Sequence, residues 1–190
     1  MKKNTFLLIL LLIPIFGFSQ VQWMTISQAL EAQKKAPKKI LIDFYADWCE
    51  PCKEMDKKTY NHPEIAKIIN DSFYAVKFES DGNEAVNFLG HKFINPEYKG
   101  KKGKSTLHQF SKYMNINMIP TMIFLDEKTD PITSLSGFLK AKEVEPYFTM
   151  IASDEYKTIK SRQEWEGYQK KFRSKIKEWF FRSEILEFRC

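Results

Sequence analysis

The sequence has few of the residue types that build metal centres, since its 190 residues include only three cysteines and three histidines. The histidines are scattered, and one close cysteine pair without a second pair does not make a zinc motif. Motifs of nucleic-acid-binding proteins are also absent, and a formal net charge of +6 is too mild a basic excess to indicate such a partner. The sequence therefore predicts no metal, no other cofactor and no nucleic acid.

Long hydrophobic runs are missing, except near the N-terminus. Two lysines precede an apolar run over residues 6–13, and Ser19 is a small residue that suits cleavage ahead of Gln20. The run is too short to span a bilayer comfortably, so we expect residues 1–19 to be a signal peptide and not a retained anchor. The mature protein is then exported, to the periplasm or another extracytoplasmic compartment.

Two of the cysteines lie where a predicted strand meets a predicted helix. Residues 39–45 form an apolar, β-branched run typical of a strand buried on both faces, and helix-forming residues follow Cys52. The free amides and the dipole of a helix start stabilise a thiolate. We expect Cys49, nearer the N-terminus and more exposed, to attack a disulfide, and Cys52, one turn later, to resolve it. Pro51 suits the first helical turn.

A structural disulfide is the default interpretation of neighbouring cysteines in an oxidising compartment. A bridge across two intervening residues closes too small a loop to stabilise a fold much, so a catalytic dithiol is favoured. Cys190, the last residue, is the odd cysteine; it is a free thiol, an intermolecular bridge or a terminus without a role.

Residues 40–53 resemble thioredoxin nearly residue for residue, including Trp48 before the dithiol. Glu50 departs from the family, which commonly carries glycine there. A second motif strengthens the resemblance, because Ile119 and Pro120 precede the apolar run 122–125. In the family this proline has a cis peptide bond beside the dithiol, and the neighbouring backbone pairs with an extended substrate.

The resemblance also implies roles for two charged residues. Asp43 matches the buried acid that helps to move the proton of the resolving thiol, and Lys77 matches a lysine near that acid on the third strand. An aspartate in an apolar strand is costly unless it is paired or neutral, so its presence asks for a reason. The alternative is a polar residue at a strand end.

The resemblance implies an α/β, thioredoxin-like three-layer fold, with a central mixed sheet flanked by helices, an insertion and an added C-terminal helix. We expect a domain over residues 20–153, an insertion over 80–104 and a helical extension over 154–190. The predicted strands are 21–24, 39–45, 73–79, 122–126 and 132–136, and the predicted helices are 27–35, 49–60, 63–69, 105–114 and 141–151.

The two additions each allow several interpretations. We predict a loop for the insertion, either a partner-contact loop near the dithiol or a solvated excursion. The extension has an aromatic stripe at helical spacing, which packs on the domain or forms a dimer interface, a partner-binding helix or a membrane-surface helix. The stripe consists of Trp165, Tyr168, Phe172, Ile176, Trp179 and Phe180.

The predicted function is thiol:disulfide exchange on protein substrates, and the sequence favours reduction of client disulfides over oxidation of client thiols. Glu50 beside Cys49 opposes a thiolate by like-charge repulsion, and the Cys-Glu-Pro-Cys sequence resembles exported reductants of the cytochrome c maturation type. A reductant outside the cytosol needs a membrane-bound thiol donor as a partner. The alternatives are a disulfide isomerase, a dithiol oxidase and a non-catalytic binding module.

Overall fold

The computed structural model describes residues 20–100 and 106–177, in which a central sheet lies between two layers of helices. The strands are β1 (Trp23–Met24), β2 (Lys39–Tyr45), β3 (Phe73–Glu79), β4 (Val86–Phe88), β5 (His91–Phe93), β6 (Thr121–Leu125) and β7 (Pro131–Ser136). The helices are α1 (Ile26–Lys35), α2 (Glu50–Met55), α3 (Pro63–Ser72), α4 (Gln109–Tyr113), α5 (Ala141–Ala152) and α6 (Arg162–Lys171). A π-helical turn (Asp56–Tyr60), called the π turn below, continues α2.

The sheet is mixed and places β2 at its centre. The strand order is β1-β3-β2-β6-β7; β1 and β2 pair with β3 in parallel, whereas β6 is antiparallel to both β2 and β7. Because β2 has a neighbour on each side and helices on each face, six of its seven residues are buried. The predicted strand bounds at 39–45 and 73–79 are confirmed, and so is the predicted α/β, three-layer fold.

A separate hydrophobic core lies on each face of the sheet. Leu41 and Phe124 belong to the core that packs with α3 and α5, while Phe44 and Phe78 belong to the core that packs with α1 and α4. Alternate residues of β2 supply the two cores, as the alternation of side chains along a strand requires. Asp43 has the parity of Leu41 and therefore lies on the α3 and α5 face.

The predicted loop over 80–104 is wrong for residues 86–93, which form the hairpin β4-β5. Val86 and Phe88 are buried in the core beside Phe110, so the hairpin extends the second core. Its two-residue turn, Leu89 and Gly90, has positive φ at both positions, which is typical of a type I′ turn. Residues 101–104 of the insertion lie outside the described residues.

The predicted helix over 105–114 begins later than expected, at Gln109. The imidazole Nδ1 of His108 accepts a hydrogen bond from the Phe110 amide at 3.0 Å, so His108 caps α4 instead of belonging to it. Its Nε2 lies 2.9 Å from the carbonyl oxygen of Glu84, which connects the cap to the insertion. Burial lowers the pKa of His108 below its usual value.

The predicted long C-terminal helix is wrong for residues 172–177, because α6 ends at Lys171. Beyond it the chain is not helical and returns to the domain, where Ile176 is buried in the first core. The buried carboxylate of Glu145 accepts hydrogen bonds from the Ser174 hydroxyl and, at 2.7 Å, from the Lys175 amide. We call residues 172–177 the C-terminal strap.

The aromatic side chains of α6 pack back on the domain. Trp165 and Tyr168 contact the first core. The ring centroids of Trp165 and of Tyr147 on α5 lie 4.4 Å apart. The Tyr168 hydroxyl donates a hydrogen bond to the carbonyl oxygen of Pro146 at 3.3 Å. Of the predicted aromatic stripe, Trp179 and Phe180 lie outside the described residues, as do the predicted signal peptide and Cys190. None of the helices in the described part of the chain has the length and apolar character that a membrane span requires.

Candidate active site

The dithiol lies where the loop after β2 enters α2. Cys49 is the N-cap of α2 and forms a disulfide bond with Cys52. The Cys49 amide donates to the carbonyl oxygen of Ala46 at 3.0 Å, which closes the loop between strand and helix. Pro51 occupies the first turn of α2, where a missing amide hydrogen leaves no bond unmade. The expected delivery of the cysteine pair by a strand to a helix start is confirmed.

The two cysteines differ in hydrogen bonding and hardly in exposure. Cys49 is 3% exposed and Cys52 is 4% exposed, so the expectation that Cys49 is the more exposed thiol is wrong. Instead, the Cys52 amide donates a hydrogen bond to the sulfur of Cys49 at 3.2 Å. A donor aimed at Cys49 favours its thiolate form, because hydrogen bonds to an ionised group stabilise it. This bond, and not solvent access, is the difference between Cys49 and Cys52 in the structure.

Asp43 is buried on β2, six residues before Cys49. Burial raises the pKa of its carboxyl group to about 6, although the positive charge of Lys77 opposes the shift. The Lys77 ammonium lies 3.6 Å from Asp43 Oδ2, and β2 and β3 pair these two residues directly. Asp43 Oδ1 has no hydrogen-bond partner within the described residues. The buried acid is thus in a position to hold or release a proton near neutral pH.

Lys77 is shared between two carboxylates and surrounded by aromatic rings. Besides Asp43, its ammonium contacts Asp56 in the π turn, which is the more exposed of the two acids. It lies 5.0 Å from the ring centroids of Trp23 and Tyr45 and 5.6 Å from that of Tyr60. Ring faces attract a cation, so the three rings help to fix Lys77 between the acids.

Glu50 is paired with a lysine on the same helix. Its carboxylate forms an exposed ion pair with the Lys53 ammonium at 2.6 Å, one helical turn along α2. The positive charge reduces the repulsion that Glu50 exerts on a thiolate at Cys49, although solvent screens exposed pairs strongly.

The predicted proline loop contacts the dithiol. The Ile119–Pro120 peptide bond is cis, and Ile119 packs against the cluster that contains both cysteines. The Pro120 carbonyl oxygen accepts a hydrogen bond from the Gly137 amide at 2.8 Å, which ties the loop to the end of β7. The expected cis proline is therefore found beside Cys49 and Cys52.

A groove of about 420 Å³ lies between the tryptophan of the dithiol loop, the proline loop and the start of the insertion. The indole N–H of Trp48 donates to Asp81 Oδ2 at 2.8 Å across this groove. Apolar side chains dominate its lining, which suits an extended peptide. The lining residues are Trp48, Ser80, Asp81, Leu107, Ile116, Asn117, Met118 and Ile119.

Sequence reasoning missed Asp56, Tyr60 and Asp81. Asp56 and Tyr60 follow Cys52 by four and eight residues, so helical spacing puts all three on one side of the helix. This spacing is a signal from which they could have been predicted. Asp81 has no comparable local signal, since its contact with Trp48 depends on the tertiary fold. Within the described residues no group of three or more histidine, cysteine, aspartate or glutamate side chains is arranged to hold a metal ion.

Comparisons with known proteins identify the family. A family model described as a thioredoxin-like domain matches residues 26–152. The thiol:disulfide interchange protein DsbD of Vibrio vulnificus is 26% identical over 118 residues, which cover 61% of this chain and 16% of that protein. DsbD of Escherichia coli K12 is 26% identical over 129 residues, which cover 66% of this chain and 19% of that protein. This chain thus matches less than a fifth of the length of these relatives.

Solved structures match the fold over a larger share of the molecule. A thioredoxin-fold protein from Helicobacter pylori has a TM-score of 0.56 at 14% identity and covers 80% of this chain and 91% of that chain. A thioredoxin from Thermus thermophilus has a TM-score of 0.52 at 14% identity and covers 70% of this chain and 87% of that chain. At this identity the likeness shows the fold alone.

Proposed function

The chain belongs to the thioredoxin-like family of thiol:disulfide oxidoreductases, and from that premise we propose that it reduces disulfide bonds of exported client proteins. The observation that carries the proposal is the hydrogen bond from the Cys52 amide to the sulfur of Cys49, at the N-cap of α2. It makes one member of the dithiol the better anion, and an anionic sulfur is the form that attacks disulfides.

The reaction proceeds in two exchanges. The Cys49 thiolate attacks one sulfur of a client disulfide, the client's S–S bond breaks, and a Cys49–client mixed disulfide forms while the other client sulfur leaves as a thiolate. Asp43 then accepts the proton of the Cys52 thiol. The Cys52 thiolate then attacks the Cys49 sulfur, and the bond between Cys49 and the client breaks. The reduced client leaves, and the protein now contains the Cys49–Cys52 disulfide.

The groove beside the dithiol supports an extended client segment as the substrate. Its apolar lining includes Trp48, Met118 and Ile119, and Ile119 also packs against the cysteine pair. An extended segment in this groove would lie beside Trp48 and Ile119, the neighbours of the cysteine pair.

The reducing direction is favoured by the charges near the dithiol. Oxidants of this type gain their potential from a stabilised thiolate, whereas carboxylates near a thiol disfavour its ionisation. Asp43 is buried in the strand that leads to Cys49, and Glu50 follows Cys49 directly. The ion pair of Glu50 with Lys53 weakens the second contribution.

Export and resupply with electrons complete the proposal. Residues 1–19 have the pattern of a signal peptide, which would place the mature protein outside the cytosol. Reduced thiols do not persist in an oxidising compartment, so a membrane-bound thiol donor must re-reduce the Cys49–Cys52 disulfide.

Trapping experiments test the exchange. In Cys52→Ser the attacking thiol remains but the resolving thiol is absent, so mixed disulfides with client proteins should accumulate and be released by added thiol reductant. Cys49→Ser, the matched control, should trap none, since Cys52 lacks the amide donor seen at Cys49. Both variants should lose at least a hundredfold in turnover of a model protein disulfide. Equal trapping by the two variants would overturn the assignment of Cys49 as the attacking thiol.

A further inference from the structure

Tyr60 is a buried tyrosine whose hydroxyl group packing alone does not explain. Its ring is fixed in the first core, edge-on to Trp23 with ring centroids 4.9 Å apart. The hydroxyl, however, is buried and has no hydrogen-bond partner within the described residues. An unpartnered buried hydroxyl destabilises a fold, and a phenylalanine would make the same ring contacts without that cost.

The second unpartnered oxygen in this region is Oδ1 of Asp43. Both groups adjoin Lys77, whose ammonium lies 3.6 Å from Asp43 Oδ2 and 5.6 Å from the centre of the Tyr60 ring. Lys77 is already divided between Asp43 and Asp56. Oδ1 of Asp43 and the hydroxyl of Tyr60 thus both lack a hydrogen-bond partner in the described part of the chain, yet the two groups are close enough for each to shift the pKa of the other.

Besides Tyr45 on the same strand, the charged and titratable groups around Asp43 come from two other elements. Lys77 faces it from β3, while Asp56 and Tyr60 face it from the π turn; on β6 its register partner is the apolar Met122. Burial, and after it the negative charges of Asp43 and Asp56, keep the pKa of Tyr60 well above its usual value. The phenol therefore retains its proton and can serve only as a donor to a carboxylate.

We propose that Tyr60 is a positioning residue for the exchange reaction: its hydroxyl donates a hydrogen bond to Oδ1 of Asp43 whenever that carboxylate is ionised. The bond stabilises the ionised acid and orients it. This inference rests on the proposed function for its purpose, since an ionised Asp43 is the form that accepts the Cys52 proton. In that step the proton moves from the Cys52 sulfur to the Asp43 carboxylate, Cys52 bonds to Cys49, and the Cys49–client bond breaks; Tyr60 keeps its own proton.

The test is a titration of the Asp43 carboxyl carbon by NMR in the oxidised protein, with Tyr60→Phe as the variant. The wild-type midpoint should be about 6. In Tyr60→Phe, loss of a donor to the ionised form should raise the midpoint by about one pH unit. Tyr74→Phe is the matched control, because its hydroxyl donates to the carbonyl oxygen of Ala36 at 2.9 Å and lies outside the Asp43 pocket; its midpoint should equal that of the wild type.

A second replacement acts in the opposite direction. Site-specific 3-fluorotyrosine at position 60 keeps the hydroxyl and makes it a stronger donor, so the Asp43 midpoint should fall below the wild-type value. If neither replacement at position 60 moves the midpoint, the proposed hydrogen bond does not exist. Opposite shifts from the two replacements would establish it even if one variant loses some stability.

A kinetic measurement connects the bond to catalysis. Resolution of a preformed Cys49–client mixed disulfide should be up to about tenfold slower in Tyr60→Phe at pH values below the shifted midpoint, and equal to wild type well above it. The titration needs no client and no turnover, so its result stands even if the protein fails to reduce disulfides. Conversely, if the protein reduces disulfides normally but the Asp43 midpoint does not change, the role of Tyr60 is overturned and the proposed function is not.

Discussion

Asp43 is an ionisable group whose position costs the fold stability. Its pKa is raised from 3.8 to about 6, so the native state binds its proton more tightly than the unfolded state does. The penalty is therefore absent below about pH 4 and grows as pH rises through the folded pKa near 6. A shift of this size corresponds to about 3 kcal/mol at neutral pH.

Asp43→Asn removes the ionisable group and should stabilise the oxidised protein at neutral pH. We expect the free energy of unfolding to exceed that of wild type by about 2 to 3 kcal/mol at pH 7 to 8, with the difference disappearing towards pH 4. Urea unfolding at several pH values measures this. Asp47→Asn, at an exposed position of the following loop, should change stability by less than about 0.5 kcal/mol. A pH-independent effect of Asp43→Asn would contradict the burial penalty.

Residues within one local motif could be predicted from the sequence, and contacts formed by the tertiary fold could not. The two-residue spacing of Cys49 and Cys52 is a recognisable motif in the sequence. Asp43 is recognisable because it is the acidic residue in an otherwise apolar strand. The relative exposure of the two cysteines was predicted wrongly, because packing of Ile119 over the pair is a tertiary effect. The unpartnered hydroxyl of Tyr60 was missed for the same reason.

At the scale of elements, the β4-β5 hairpin contains a residue in an unfavourable conformation. Leu89 has a φ of 49° in the two-residue turn and is 58% exposed. Non-glycine residues in the left-handed region cost about 1 to 2 kcal/mol, and asparagine tolerates that region better. The side chain of Leu89 contributes little burial in return.

Leu89→Asn should therefore raise the free energy of unfolding by about 0.5 to 1 kcal/mol. Chemical denaturation measures the change. Leu89→Val is the matched control: a β-branched residue fits positive φ worse than leucine, so this variant should be less stable than wild type. Equal stabilities of the two variants would show that the turn does not adopt the type I′ conformation.

The C-terminal strap depends on one buried carboxylate, and Glu145→Gln tests that dependence. The Ser174 hydroxyl and the Lys175 amide donate to different oxygens of the carboxylate, and glutamine replaces one of these oxygens with an amide group that cannot accept. We expect the free energy of unfolding to fall by about 1 to 2 kcal/mol. Tryptic cleavage after residues 171–177 should become faster.

Glu166→Gln serves as the control for the strap, because Glu166 forms an exposed ion pair with Arg162 at 2.9 Å. Exposed pairs contribute little, so cleavage of this variant should match wild type. Unchanged cleavage in Glu145→Gln would mean that burial of Ile176 alone holds the strap.

The strap and the hairpin mark the limit of prediction from sequence at this scale. The aromatic spacing around Trp165 correctly indicates a helix, but the same spacing continues past Lys171, where the chain leaves the helix to bury Ile176. In the insertion, glycine and lysine content suggested a loop, whereas Val86 and Phe88 alternate over only three residues, too few for a clear strand signal.

At the scale of the whole molecule, the fold class followed from two motifs far apart in the sequence. The dithiol after β2 and the proline before β6 meet at one end of adjacent central strands, because these two strands pair antiparallel. The groove between them and the insertion is the surface that the proposed extended client would occupy. The amide donor at Cys49 supports the proposed exchange chemistry, whereas the proposed reducing direction is supported by the carboxylates of Asp43 and Glu50.

The central claim is that the Cys49–Cys52 couple is a reductant, and its reduction potential tests this most directly. Mature protein carrying Cys190→Ser is equilibrated with defined thiol buffers and its free thiols are counted. We predict a value close to that of thioredoxin, about −270 mV. A value near −120 mV, typical of a strong dithiol oxidant, would contradict the reducing direction. Failure of the pair to form a disulfide at any potential would contradict the exchange reaction itself.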